Sequence, residues 1–506
     1  MANFIKYHKL TSIITWIKGT LMTKLSIFTI IVVFPGYLMF SCISKTVSPP
    51  SASLPVPTEK QLAWHELEMY AFVHFTTNTF TDKEWGYGNE NPDVFNPTHL
   101  NVDQWVKTIK DAGMKALILT CKHHDGFCLW PSAYTKHSVK SSRWKNGQGD
   151  VVKEVADACR KHGLKFGIYL SPWDRNRADY GTAAYVEYYR NQLREIFTNY
   201  GPVFEMWFDG ANGGDGYYGG SNEKRKIDGS KYYDWPGTIK IIRDLDSSVV
   251  FFSDAGPDIR WCGNEKGYIG DTNWCTINMD TIYAGKPDIN NLLNTGEENG
   301  KSWVPAEVDV SIRPNWFYHQ NQDTMVKTAK ELFQIYLSSV GRGANLLLNI
   351  PPDQRGLIHE NDVKALEEFK KLKDNIFNKN MAFNSSVVTD SYRGNSKEYA
   401  GSNVTDGKKN TYWTTDDEIK KGQLDIYLKN KETIKYIIIQ EYIKLGQRIK
   451  SFTISVWKDN NWMEIQKSTT IGYKRILKLN PVKTNRIRIN IVDSKACPII
   501  SNVEIY

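Results

Sequence analysis

Four short runs of this sequence each place ring-bearing, basic or acidic side chains at the end of an apolar stretch. His74 closes one run, with Glu84 and Trp85 just beyond it, and Lys122-His123-His124-Asp125 follow a second. Tyr169 and then Trp173-Asp174 follow a third, and Trp207 and Asp209 end a fourth, the run VFEMWFDG from Val203 to Gly210. Imidazoles make directional hydrogen bonds, indole and phenol rings offer flat apolar faces, and a strand-end carboxylate can serve as nucleophile, acid or base. A single His on a strand is more often a hydrogen-bonded core residue, and a single strand-end Asp more often caps the next turn. Four such clusters at four consecutive strand ends are hard to explain as core. Metal binding is the rival use of three His and several carboxylates, but no His-x-His or His-Glu-x-x-His spacing occurs, so no metal is expected here. The residue types suit a sugar site, with Asp209 as the first catalytic candidate.

The elements that must position these residues are legible from residue 60 onward. Apolar strands end near Phe75, Cys121, Leu170, Asp209 and Asp254, at intervals of 46, 49, 39 and 45 residues, a period that fits βα units. Helical faces intervene. Val102, Trp105, Val106 and Ile109 share one, and Val151, Val152, Val155, Ala156 and Cys159 share another that Gly163 stops. A third, Val186 to Asn199, is closed by Gly201. A strand at Ala306 to Val310, a helix from Thr324 to Val340, a strand from Asn345 to Ile350 and a helix from Asn361 to Asn375 complete the series. The fold class is α/β, a (β/α)8-type barrel with an irregular second half, in which chemistry belongs at the carboxyl ends of the strands.

After about residue 380 the texture changes to short alternating strands such as LDIYL, YIIIQEY, SFTISVW and RIRINIV, with no long helix between them. This reads as an all-β sandwich, jelly-roll-like. The chain thus divides into a leader (1–45), a linker (46–59), a barrel (60–378) and a sandwich (379–506). The leader has the layout of a secretory signal. Lys24 precedes the apolar run LSIFTIIVVFPGYLMF, then Ser41-Cys42 and a Ser/Pro-rich segment follow. Cys42 after a small residue resembles a bacterial lipoprotein cleavage site. The expectation is therefore export across the inner membrane to the periplasm or outer membrane, with a tether through lipidated Cys42. The net charge of +8 is spread along the chain, so no nucleic-acid footprint is seen. Seven Cys without CxxC pairs argue against a zinc site and a disulfide framework.

The runs HFTTNTFTDKEWGYG, LTCKHHDGFCLWPS, YLSPWDRN, EMWFDGANG and NLLLNIPPDQRG resemble, in order, the signature segments of glycoside hydrolase family 29, the retaining α-L-fucosidases. The resemblance implies hydrolysis of terminal α-L-fucose with net retention and no required cofactor, and it assigns Asp209 as nucleophile by position. A retaining glycosidase also needs a second carboxyl that protonates the leaving oxygen and later activates water. The best partner is Glu265, in the Gly-flanked loop DIRWCGNEKG just after the fifth strand. That loop resembles the acid/base loop of the subgroup acting on α-1,3- and α-1,4-linked fucose in branched, Lewis-type glycans. Glu298, Glu307 and Asp309 stay open as alternatives. The resemblance further implies that His74, His123 and His124 bind fucose hydroxyls, that Trp85, Tyr169 and Trp207 line the pocket, and that Trp316 packs against the fucose methyl. The run Gly213 to Trp235 departs from the pattern and is expected to wall the leaving-group side. A broader fucosidase accepting α-1,2, α-1,6 or aryl fucosides, or a non-catalytic glycan-binding lipoprotein, are the alternatives. The opening of the sandwich, NVTDG followed by TYW, resembles discoidin-like, galactose-binding-like domains. This implies a structural calcium at residues 403–407 and leaves open whether the domain binds sugar.

Overall fold

The computed structural model describes residues 47–506, so the leader and Cys42 lie outside the described residues. Eight parallel strands close into a barrel: β1 (Met69–Val73), β2 (Ala116–Lys122), β3 (Lys165–Leu170), β4 (Glu205–Trp207), β5 (Val250–Ser253), β6 (Ile259–Trp261), β7 (Ala306–Ser311) and β8 (Asn345–Asn349). Each pairs with its neighbours in sequence, and β8 pairs with β1, Met69 opposite Leu346 and Phe72 opposite Asn349. Strands such as ALILTCK and NLLLN are buried along their whole length. That is required of a parallel sheet whose one face meets helices and whose other fills the barrel.

Six helices cover the outside: α1 (Val102–Asp111), α2 (Val151–His162), α3 (Ala183–Asn199), α4 (Trp235–Leu245), α5 (Ala329–Ser338) and α6 (Glu360–Ile376). Asn101 and Asp150 cap α1 and α2 by accepting backbone N–H groups of the first turn. Gly163 ends α2 in the left-handed region at φ 73°. α5 is shorter than the expected Thr324 to Val340. Thr328 and Glu331 form a reciprocal capping box that fixes its start.

Two expectations about strands need correction. Of the run Val203 to Asp209 only Glu205–Trp207 is strand, and Asp209 lies two residues beyond its end. β5 and β6 follow one another with only a short turn between them, so the loop bearing Glu265 follows the sixth strand, not the fifth. β6 has three residues in a polar context, too short to show a period.

Residues 386–505 form an antiparallel β domain of seven strands: β9 (Ser386–Thr389), β10 (Trp413–Thr414), β11 (Gly422–Glu441), β12 (Ile449–Lys458), β13 (Asn461–Ser468), β14 (Arg475–Ser494) and β15 (Ile499–Ile505). The expected strands LDIYL and YIIIQEY are two halves of one strand, β11. Register shifts against β14 after Tyr427 and Ile434 let both long strands bend around a core of Leu424, Ile426, Ile454, Ile487 and Ile489. Tyr436 of this domain meets Phe333 and Phe377 of the barrel edge-on. No helix among the described residues is long and apolar enough to cross a membrane.

Candidate active site

A cavity of about 270 Å³ opens at the carboxyl ends of the barrel strands. Its walls include all nine residues singled out in the sequence: His74, Trp85, His123, His124, Tyr169, Trp207, Asp209, Glu265 and Trp316. Phe72, Ala211 and Asp309 complete the lining. A larger cleft, about 520 Å³, lies at the opposite end, where Glu68 and Lys115 precede β1 and β2 and face Lys408, Tyr442 and Lys474 of the β domain. Its charges pair internally, Lys474 with Glu68 and Lys409 with Glu66. The amino-terminal end of a barrel carries stability rather than chemistry, so the smaller cavity is the candidate site.

Asp209 is held from two sides. Ala211 N–H donates to Oδ1 at 2.7 Å, and the Tyr169 hydroxyl donates to Oδ2 at 2.9 Å. His124 Nε2 stands 3.7 Å from Oδ2. The next residue must be glycine, because a Cβ on Gly210 would lie 1.9 Å from Asp254 Oδ2. Burial pushes Asp254 up to about 6, and the Asp209 charge adds to the effect.

The three histidines are neutral. Burial holds His74 at about 3, with the Asn349 bond working against it, and keeps His123 and His124 below the usual imidazole range. His74 Nδ1 is 2.8 Å from Asn349 Oδ1, and an amide oxygen only accepts, so Nδ1 carries the proton and Nε2 is left as an acceptor. His124 is fixed similarly. Ser171 donates its hydroxyl to Trp173 O at 2.7 Å and so accepts from His124 Nδ1–H at 2.7 Å. Imidazoles with assigned ring nitrogens, as on His74 and His124, can meet hydroxyl groups directionally.

Glu265 stands on an exposed loop, but its carboxyl turns into the cavity, where Trp316 Nε1 donates to Oε2 at 3.2 Å. Burial raises its pKa, and the charges of Asp209 and Glu84 add to that against the Trp316 bond. Trp316 is itself anchored. Its backbone N–H and that of Phe317 donate to Glu84 at 2.9 and 3.1 Å, His319 Nε2 meets Glu84 Oε1 at 2.8 Å, and Asn349 Nδ2 donates to Trp316 O at 2.8 Å. Glu84, noted in sequence only as a neighbour of Trp85, is thus the clamp between the loops after β1 and β7.

Of the open alternatives to Glu265, two lie outside the cavity and one lines it. Glu298 turns away to Lys450 of the β domain at 3.0 Å. Glu307 is wholly buried beneath the cavity. Asp309 does line the cavity, where it accepts Trp261 Nε1–H at 2.8 Å, and burial next to Glu265 and Glu307 raises its pKa well above the carboxylate range. The run Gly213 to Trp235 contributes no residue to the cavity. It forms a small hairpin behind Trp173, whose Nε1 donates to Tyr218 at 2.9 Å.

Among the described residues no group of three or more His, Cys, Asp or Glu is poised to hold a metal ion. In the β domain, Thr411 Oγ1 lies 3.0 and 2.9 Å from the Asp406 carboxylate oxygens and 3.3 Å from Lys408 O. These are hydrogen bonds that close the turn, made by oxygens of the kind a hard cation takes.

Residues 50–375 match the family model for α-L-fucosidase, and residues 384–505 match that for the F5/8 type C domain. The chain is 42% identical to α-L-fucosidase 1 of Arabidopsis thaliana over 90% of this chain and 88% of that one. Among solved structures, a putative α-L-fucosidase from Bacteroides thetaiotaomicron is similar with 39% identity and a TM-score of 0.84, covering 90% of this chain and 99% of that one. A Ruminococcus gnavus family 29 fucosidase in complex with fucose is similar with 34% identity and a TM-score of 0.82, covering 91% of this chain and 96% of that one.

Proposed function

The chain belongs to the α-L-fucosidases of glycoside hydrolase family 29 and carries a C-terminal F5/8 type C domain, and from that premise we propose that it removes terminal α-1,3- or α-1,4-linked L-fucose from branched, Lewis-type glycans by a retaining, double-displacement mechanism. The observation that carries this reading is the meeting of Asp209, held by two donors, and Glu265, with a raised pKa, in one cavity walled by neutral histidines and rings.

In the proposed first step an Asp209 oxygen attacks the anomeric carbon while Glu265 gives its proton to the departing glycosidic oxygen. The second step reverses the roles. The Glu265 carboxylate takes a proton from water, the water oxygen attacks the anomeric carbon, and Asp209 leaves as carboxylate. His74, His123 and His124 bind ring hydroxyls, Trp85, Tyr169 and Trp207 wall the ring, and Trp316 serves both the sugar methyl and Glu265. No cofactor enters these steps. The proposal includes a structural calcium held by Asp406, Lys408 O and Thr411, which would stiffen the turn and take no part in catalysis. It also includes export and a tether through Cys42.

The experiment that tests it incubates the protein without its leader with a Lewis-type trisaccharide and, separately, with an aryl α-L-fucoside, and follows the freed fucose by proton NMR. Release from the branched sugar, first as the α-anomer, with little from the aryl fucoside, supports the reading. First release as β-fucose overturns the retaining mechanism, and efficient aryl cleavage favours the broader specificity.

A further inference from the structure

Beneath the cavity lies a pair of acids that the two-carboxylate chemistry does not use. Glu205 on β4 and Glu307 on β7 are both fully buried in the barrel interior, and the Tyr70 hydroxyl bridges them, 3.1 Å from Glu205 Oε2 and in short contact with Glu307 Oε2. Trp64 Nε1 donates to Glu205 Oε2 at 3.1 Å. On the cavity side, Trp207 Nε1 donates to Glu307 Oε1 at 2.8 Å, and the Trp207 ring is part of the cavity wall. No salt bridge among the described residues joins either acid to a cation. Barrel interiors are ordinarily filled by branched apolar side chains, and burying carboxyls without a cation is costly.

Two buried carboxyls that meet the same hydroxyl and no cation do not both ionise, so the pair keeps a proton. Burial raises both acids, Glu205 the further of the two. The negative charge falls on Glu307, whose two oxygens each meet a donor, whereas Glu205 Oε1 has no partner among the described residues.

We infer that Glu307 is a positioning residue that, through Trp207, sets a fixed negative charge beneath the sugar site and favours the cationic transition state over the neutral sugar. In glycoside hydrolysis positive charge develops at the anomeric carbon and ring oxygen, whether the outcome is retention or inversion. A charge already in place in a water-excluded interior acts on that developing cation more than on the ground state. Donating Nε1–H to a carboxylate also enriches the indole ring, whose face attracts cations. The inference rests on the reading that the cavity holds fucose, but not on the roles of Asp209 and Glu265.

The test compares Glu307→Gln and Glu205→Gln with the parent. Each keeps the side-chain shape and one acceptor oxygen while replacing the other oxygen with an uncharged amide donor. Calorimetry measures binding of fucose, which is neutral, and of a fucose-configured piperidine, whose ring amine is protonated. Turnover of the Lewis-type trisaccharide and thermal melting accompany it. Glu307→Gln is expected to bind fucose within about twofold of the parent but the amine roughly 10-fold or more weakly, and to lose roughly 10-fold in kcat with little change in KM. Glu205→Gln is expected to keep the preference for the amine, because it leaves Glu307 as the only acid of the pair. Equal losses in the two variants, or equal losses for fucose and amine, would make the network merely structural and overturn the inference. If Glu307→Gln does not fold, Trp207→Phe severs the same link. An unchanged amine preference in that variant overturns the inference. A parent protein that binds neither ligand overturns the cavity reading and this inference with it.

Discussion

Tyr169 donates its hydroxyl to Asp209 Oδ2 at 2.9 Å, while the backbone of Ala211 holds the other oxygen at 2.7 Å. Two donors on one carboxylate fix the direction in which its free lone pairs point. The strand alone does not achieve this, because Asp209 lies beyond the end of β4.

Asp209→Asn is expected to reduce fucose release about 10³-fold or more, and Tyr169→Phe about 10-fold to 100-fold, with circular dichroism and melting unchanged. Near-normal turnover in Asp209→Asn removes it from the nucleophile role.

If Glu265 is the acid, its loss matters in proportion to how much help the leaving group needs. Glu265→Ala should all but abolish release from a fucosylated oligosaccharide, while kcat/KM for a dinitrophenyl fucoside, whose leaving group departs unprotonated, falls far less. Equal losses on both substrates would falsify the assignment and turn attention to Asp309.

Trp316 Nε1 stabilises the ionised form of Glu265 and so lowers a pKa that burial raises. Trp316→Phe removes that donor, and Glu265 then gives up its proton at higher pH. A general acid must be protonated in the free enzyme, so the alkaline limb of the kcat/KM profile is expected to move to higher pH. A limb that stays in place or moves down contradicts the contact.

His65, in the helix Glu59–His65 below the barrel, is fully buried among Trp64, Trp303 and Tyr473, with neither ring nitrogen hydrogen-bonded among the described residues. Burial lowers its pKa to about 3, below the unfolded value of about 6.5. Its neutral form costs nothing above the unfolded value, and stability is lost as pH falls from there toward the folded one. His65→Phe should therefore flatten the acid side. The drop in unfolding free energy between pH 7 and pH 4.5, read from urea midpoints, is expected to shrink by ~2 kcal/mol. Parallel pH slopes in the two proteins would count against it.

Calcium at Asp406 and Thr411 predicts that a chelator lowers the melting temperature and that added calcium restores it, with kcat unaffected throughout. A melting curve indifferent to both means that the turn is closed by its own hydrogen bonds.

The sequence made the cavity legible because its residues sit at the ends of long apolar runs, which announce parallel strands wherever they occur. His74, His123 and Tyr169 needed nothing more. What it hid were relationships across the barrel. Glu307 meets Trp207 and Glu84 meets Trp316 through 100 and 232 residues of intervening chain, a distance at which no periodicity carries information. β6 escaped notice because three residues show no alternation, and the bend of β11 because a register shift leaves no mark on composition. Asp309 could be named but not separated from Glu265, since only burial distinguishes them.

The seam of the barrel sets the order in which the site comes into being. His74 on the first strand end takes its orientation from Asn349 on the last strand, 275 residues later, and the same amide carries the Trp316 backbone. A nascent chain that has already delivered Asp209 and Glu265 from the ribosome still has an open sheet with unpaired edges at β1 and at its newest strand. Loop closure over such a span is slow, and an unsatisfied edge invites other chains. Assembly of the site therefore waits on closure of the barrel by its last strand. Fragments ending before Asn349 would carry both proposed catalytic carboxyls yet remain inactive and adhesive.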